Sequence, residues 1–391
     1  MVDNRMSAAT RPARLAIDYR HKRAEVGLTN GLVLASPLSG RAAGRDGEID
    51  RTDYDPERSE LTITFRWGET AILDIGPVDR PPAPVVYLDQ NHWIMLARQQ
   101  WSPSKMSEPE REEYTRLASL ARQRAIILPL SGAHAVETAR KGGRQRRDLA
   151  TTMLQLSRGW QMRSPLKVRR EELVCAFAGV RSVVRQPQPR SVFTLDPDAL
   201  FSASDYVGAS LAERDLHARL TWASAIADLL IEDERDDDEI AHAKVERWAE
   251  KNAALGARLG EPKASREDKR AAARAALLAD FTDDLALAAA AVGLDRGELD
   301  AWLRDCEESI AAMPSNGRVQ ELTHRRLSNP QHPWRHGNLN DMHFLACTAG
   351  YADFLLAENE TSDDLRRAAS RVPTGARICR SAGELVALFQ A

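Results

Sequence analysis

Acidic residues at the ends of apolar runs, far apart in the chain, are the groups best placed to do chemistry. Asp89 closes Val85-Val86-Tyr87-Leu88, and Asn91 follows two residues on. Glu137 lies in the segment after Ile126-Ile127-Leu128-Pro129-Leu130. Asp341 opens Asp341-Met342-His343-Phe344-Leu345-Ala346, and Asp353 opens Asp353-Phe354-Leu355-Leu356-Ala357-Glu358-Asn359. If those ends converge, several carboxylates share one partly dry pocket and raise one another's pKa. A divalent cation held by oxygen ligands is the simplest resolution of that repulsion.

The elements that must position these groups are of two kinds. Residues 1–80 read as a β-rich N-terminal domain, with strands at Leu15–Ile17, Leu32–Leu34, Leu61–Phe65 and Ala71–Leu73. Leu61-Thr62-Ile63-Thr64-Phe65 alternates with period two, as a half-buried antiparallel strand does. Residues 40–55, rich in Gly, Asp and Arg, read as a loop. The proline-dense segment 77–84 then marks a boundary. Beyond it, Val85–Leu88 is short, β-branched and continuously apolar, the texture of a strand buried on both faces. Ala125–Leu130 is a second such run, and Ser131 is placed to cap the helix after it. Strand, helix, strand, helix in that order implies a parallel sheet. Residues 148–325 are mainly helical in composition and read as an insertion. The α/β pattern resumes with a helix over 341–350 capped by Asn340, a strand at 353–357, a helix at 362–369, a strand at 376–379 and a helix from Ser381. The second unit thus runs over 84–391, and the fold class is α/β.

In open parallel sheets ligands bind beyond the carboxyl ends of the strands. Asp89 sits at such an end. Asp341, in the first turn of its helix, faces the partial positive charge of free N–H groups. Residues 138–170 hold ten Lys/Arg against one acid, Asp148. Arg140, Lys141, Arg144, Arg146 and Arg147 follow directly on Glu137, a placement suited to phosphates.

Leu88-Asp89-Gln90-Asn91, the helix-borne Glu137, and Asp341–Ala349 leading into Ala352–Asn359 together resemble PIN-domain nucleases, many of which are VapC-type toxins of bacterial toxin–antitoxin pairs. The resemblance covers roughly 85–145 and 335–390. It implies a PIN-like parallel-sheet core and a Mg²⁺- or Mn²⁺-dependent endoribonuclease. It carries the family's first three acids onto Asp89, Glu137 and Asp341. For the last position, where this chain has Ala357-Glu358-Asn359, it leaves Asp353, Glu358 and Asn359 open. Its implied substrate is RNA, such as tRNA or another structured RNA. Asn91, Arg140, Lys141, Arg144, His336 and Asn359 are the substrate contacts expected on this reading. A toxin or phage-defence setting, with an antitoxin or other regulator, is implied in the same way. The additions outside the core suit selection of a structured RNA, homo-oligomerisation or regulation. A DNA or flap-structure nuclease, and a catalytically silent nucleic-acid-binding module, are the competing readings.

Other features read as structural. His92 and His134 are expected to be buried, hydrogen-bonded histidines. His332-Pro333-Trp334-Arg335-His336 has metal-like spacing, but Pro333 disfavours a regular helix, so contact with substrate beside Arg325 and Arg326 fits better. Glu232–Glu239 holds seven acids and one arginine and reads as a solvated face. Cys175, Cys306, Cys347 and Cys379 are scattered, which excludes a CxxC zinc site and suits a reducing cytoplasm. No apolar run reaches the ~18 residues of a membrane span, and the N-terminus has no secretory h-region. A chain of 391 residues, net charge −3 and mean hydropathy −0.43 fits a globular protein of two domains or of one domain with an insertion.

Overall fold

In the computed structural model the described residues are 12–38, 47–78, 80–181, 190–196, 225–231, 239–260, 264–329, 334, 336–372 and 375–390. Two larger sheets and a two-stranded pair organise them. The first is antiparallel, with strands β1 (Pro12–Asp18), β2 (Arg23–Leu28), β3 (Val33–Pro37), β4 (Ile49–Asp55), β5 (Glu60–Phe65) and β6 (Thr70–Asp74), in spatial order β3-β2-β1-β4-β5-β6. The period-two run is β5, and it buries Leu61, Ile63 and Phe65 on one face. The expected loop at 40–55 needs correction, because 49–55 forms β4 in the middle of the sheet. Its sequence, Ile-Asp-Arg-Thr-Asp-Tyr-Asp, looks unlike a strand because its stabilisation is electrostatic and lies across strands. Arg51 donates to Glu25 at 2.7 Å and to Asp53 at 2.9 Å, and pairs with Asp18 at 3.4 Å. Opposite charges at such cross-strand positions favour pairing.

The second sheet is parallel. β7 (Val86–Leu88), β10 (Phe354–Leu356) and β11 (Arg377–Cys379) pair in the order β11-β10-β7. The run 125–130 joins β7 through a parallel bridge between Val85 and Ile127, and its far end bridges Leu130 to Gln161. Gln161–Met162 is β8, which pairs antiparallel with β9 (Phe193–Thr194). Pro129 lacks the N–H a continuous ladder needs, which accounts for two bridges in place of one strand.

Alternate residues of the parallel strands face two cores. Val86, Leu88, Leu356 and Cys379 join one cluster with helices α1 (Gln90–Trp101), α2 (Glu108–Arg122), α4 (Gly143–Ser157) and α14 (Ala382–Ala387). The inner face of the antiparallel sheet (Leu61, Ile63, Phe65, Leu73) belongs to that same cluster. The N-terminal sheet therefore packs directly on the α/β body. Ion pairs from Arg124 and Arg158 to Glu60 and Asp74 reinforce the seam. Gly159 permits it: at φ +89° its Cα approaches so closely that a Cβ would stand 2.9 Å from the Asp74 carbonyl oxygen.

Val85, Tyr87 and Leu355 face the other core, built largely from the expected insertion. Its helices are α5 (Pro165–Val180), α6 (Glu239–Leu259), α7 (Arg266–Asp280), α8 (Thr282–Val292), α9 (Arg296–Arg304), α10 (Glu307–Ala311) and α11 (Asn316–Ser328). Asp295 caps α9 with Glu298 in a capping box. Buried Glu172 reaches the N-terminus of α11, accepting from the amides of Ser315 and Asn316 and from the Tyr351 hydroxyl. Free helix N–H groups stabilise such a carboxylate. Among the described residues no helix is long and apolar enough to cross a membrane. The acidic run lies at 232–239, of which 232–238 are outside the described residues.

Candidate functional site: an acid cluster at the carboxyl edge

β7 ends at Leu88, and the next residue, Asp89, is the N-cap of α1, its Oδ1 accepting from the Gln90 amide at 2.7 Å. The Asp89 amide donates to the Leu356 carbonyl at 2.9 Å, so the loop after β7 is pinned to the end of β10. Glu358, two residues past β10, returns a contact: its backbone amide donates to the Asp89 carboxylate. The side-chain amide of Asn91 in turn donates to the Glu358 carboxylate. Both acids thus stand at the carboxyl edge of one parallel pair.

Glu137 is carried by α3 (Gly132–Ala139). Ser131 caps this helix, and His134 occupies the position a Glu or Gln usually fills in such a box. The Ser131 amide donates to His134 Nδ1 at 3.1 Å, so Nε2 bears the ring proton and donates to the Leu88 carbonyl at 2.8 Å. Tyr87 stacks on the His134 ring and shares a 2.8 Å hydrogen bond with Ser131. Gln90 donates to Thr138, next to Glu137, at 3.0 Å. These contacts lock α3 onto the strand end that bears Asp89.

Asp341 is carried by α12 (His336–Tyr351). The helix begins earlier than its sequence suggests, so Asn340 lies inside it, not at its cap, and Asp341 is in its second turn. The weak helix formers His336 to Asn340 are overridden by tertiary context. Gly132 lets α12 approach α3: a Cβ there would stand 3.3 Å from the Phe344 ring.

Burial is the largest influence on each of these acids. It pushes Glu137 up to about 7, aided by the charges of Asp89 and Asp341 and opposed by Arg140 and Lys141. It pushes Asp341 up to about 6, aided by Asp89 and Glu358 and opposed by Arg326 of α11. Asp89 is raised by burial, against the stabilising amides of Gln90 and Glu358. Asp89, Glu137 and Asp341 together raise the Tyr87 hydroxyl beyond its burial. Asp89 thus acts on Glu137 and Asp341, Asp341 acts on Glu137, and Glu358 acts on Asp341, across four elements. Among the described residues no three His, Cys, Asp or Glu side chains are already arranged to hold one ion.

Asp353 does not belong to this group. It precedes β10, and its Oδ2 accepts from the Val85 amide at 2.7 Å. Val85 and Asp89 are four residues apart, about 13 Å along an extended strand. Asp353 therefore fastens the amino edge of the sheet, and of the acids flanking β10 it is Glu358 that faces Asp89. Arg140 and Lys141 stand close enough to Glu137 to lower its pKa. Arg144 is exposed and pairs with Asp148 at 3.7 Å. Arg146 is buried and donates to the Leu230 carbonyl, and Arg147 pairs with Glu48 over the Trp67 ring. His336 opens α12 and Asn359 opens α13 (Asn359–Ala368), but the side chains of both lie outside the described residues. The pair His332 and Arg335 also falls outside them. His134 is buried and hydrogen-bonded, as expected, whereas His92 is half-buried and hydrogen-bonded to Tyr114 at 2.6 Å. Arg326 approaches Asp341 from α11, the helix preceding α12. Its signal in the sequence was only its place among the arginines preceding the His332–His336 segment.

No family model, no curated protein and no solved structure matches this chain.

Proposed function

We propose that this chain is a metal-dependent endoribonuclease of the PIN-like type. The observation that carries the reading is that Asp89, Glu137, Asp341 and Glu358 stand on four separate elements, with Asp89 acting electrostatically on Glu137 and Asp341, and Glu358 acting on Asp341. The donor set is all carboxylate oxygen, which suits the hard cations Mg²⁺ and Mn²⁺ and not a thiolate- or imidazole-seeking ion. Acids raised by burial and by one another favour a cation among them. Asp89, Glu137 and Asp341 would hold the ion, with Glu358 completing the set. When bound, Mg²⁺ or Mn²⁺ lowers the pKa of a water and offsets charge on a phosphodiester.

The protein's own residues supply the rest. Asn91 orients Glu358 through its side-chain amide. His134 and Gln90 hold α3 in register with β7. Arg326, Arg140 and Lys141 bring positive charge to the edge of an acidic site, where phosphates flanking the scissile bond would otherwise be repelled.

The test is cleavage of total RNA and tRNA by purified protein with Mn²⁺, beside matched DNA strands. Cleavage by the wild type that is abolished in Asp89→Asn, in Asp341→Asn and by EDTA supports the reading. Cleavage that persists in both variants rejects this site, and preference for DNA rejects the substrate class. Absence of divalent-metal binding at millimolar Mn²⁺ favours a silent binding module.

A further inference from the structure

On another flank of α11, helices α7, α11 and α13 enclose a second pocket of about 440 Å³. Its walls carry Arg266, Lys269, Arg270, Arg325, Arg367 and Arg371. Against these six cations stand two carboxylates, Glu321 and Asp364, an excess of four positive charges. Glu321 is engaged by both guanidinium nitrogens of Arg270, at 2.6 and 3.2 Å. Asp364 stands 4.0 Å from Arg325. The remaining cations therefore share one concave space, which concentrates positive potential and attracts an anion.

A second observation points to a ligand. His324 lines the pocket and is only 6% exposed, yet its Nε2 has no hydrogen-bond partner. Arg325 Nε is likewise buried and unpartnered. Native proteins rarely leave buried polar groups unsatisfied. Guanidinium forks and an ammonium match the oxygens of a phosphate in charge and geometry.

We propose that this pocket is a phosphate-binding site. Its position relates it to the acid cluster. Arg325 faces the pocket while Arg326, next in the chain, faces Asp341. The two sites thus flank one helical turn, roughly a helix diameter (~10 Å) apart. The phosphate comes either from an RNA strand running on to the acids, a source that rests on the nuclease reading, or from a free nucleotide.

The experiment uses the full chain carrying Asp89→Asn, in EDTA, so that binding is read without cleavage. Anisotropy of a labelled single-stranded RNA is followed across a salt series, and calorimetry is run with AMP and with inorganic phosphate. The pair Lys269→Ala/Arg367→Ala is compared in the same background, with circular dichroism to verify folding. For the strand source we expect RNA affinity to fall about tenfold and the salt slope to drop by about 1.4, two contacts' worth. For the free-nucleotide source, RNA affinity holds while AMP and phosphate binding disappear. Binding of every probe unchanged in the double variant, or binding of none by the parent, overturns the proposal. Cleavage is assayed separately with Asp89 restored. Loss of phosphate binding in a chain that never cleaves RNA leaves the pocket standing and the nuclease reading rejected; active cleavage with a pocket indifferent to substitution does the reverse.

Discussion

His134 donates its Nε2 proton to the carbonyl of Leu88 at 2.8 Å, tying the helix of Glu137 to the residue before Asp89. Burial lowers the pKa of this ring to about 4. Its folded-state pKa lies below the ordinary value near 6.5, so the neutral ring stabilises the fold above pH 6.5, and that contribution is lost as pH falls through about 4. We expect denaturant midpoints to decline as pH is lowered from 6.5 to 4. His134→Gln should flatten that decline while lowering stability at neutral pH by about 2 kcal/mol, for the lost ring packing and displaced hydrogen bonds. An unaltered pH profile in the variant would assign the acid sensitivity elsewhere.

Glu137 runs the opposite way. Its pKa is raised by burial and by the charges of Asp89 and Asp341. A raised carboxylate favours the folded state below its unfolded value near 4.5, and this contribution disappears as pH rises through about 7. In metal-free protein at pH 8, Glu137→Gln should therefore raise stability, by about 1 kcal/mol once partial solvent screening is allowed for. Millimolar Mn²⁺ should raise the melting temperature of wild type and not of the variant, and should release protons on binding near pH 6.5. A variant less stable than wild type in EDTA would contradict the repulsion described here.

Asp353 and Glu358 flank the same three-residue strand and offer a sharp contrast. Glu358→Gln should abolish or strongly reduce cleavage with little change in the melting temperature. Asp353→Asn should retain cleavage. It should lose about 1–2 kcal/mol of stability, since the Val85 amide loses a charged acceptor. Paired cleavage assays and thermal melts on the two variants decide it. Loss of activity in Asp353→Asn without loss of stability would return that residue to the site.

How much of this was legible depends on where the stabilising partners lie. Asp89 was readable because a continuously apolar run announces a buried strand and the acid closes it. The distinction between Glu358 and Asp353 was latent in the same rule: only the acid after a parallel strand reaches the carboxyl edge. The strand Ile49–Asp55 was hidden because Arg51 draws its partners from β1 and β2, 26 to 33 residues away. The approach of Arg326 to Asp341 was not legible for a similar reason, although its neighbourhood to the His332–His336 segment was. No local pattern tells which arginine of an inserted helix will fold back on Asp341. The basic run after Glu137 looked uniform in sequence, yet Arg140 and Lys141 lie between α3 and α4, while α4 carries Arg144, Arg146 and Arg147 to different surroundings.

That division of the basic run gives a last expectation. Arg140 and Lys141 border Glu137, whereas Arg146 is buried against Leu230 and Arg147 pairs with Glu48 and covers Trp67. Arg140→Ala/Lys141→Ala should leave the melting temperature unchanged while weakening RNA binding, with the salt slope reduced by about 1.4. Arg146→Ala should act on stability, by about 2–4 kcal/mol, because it leaves the Leu230 carbonyl without its buried donor and opens space in the core. Arg147→Ala should be milder, at about 0.5–1 kcal/mol, the scale of an exposed ion pair with a cation–π contact. RNA affinity measured on folded protein separates the two groups. Equal weakening by all three variants would mean that the whole run, and not its first two residues, meets the substrate.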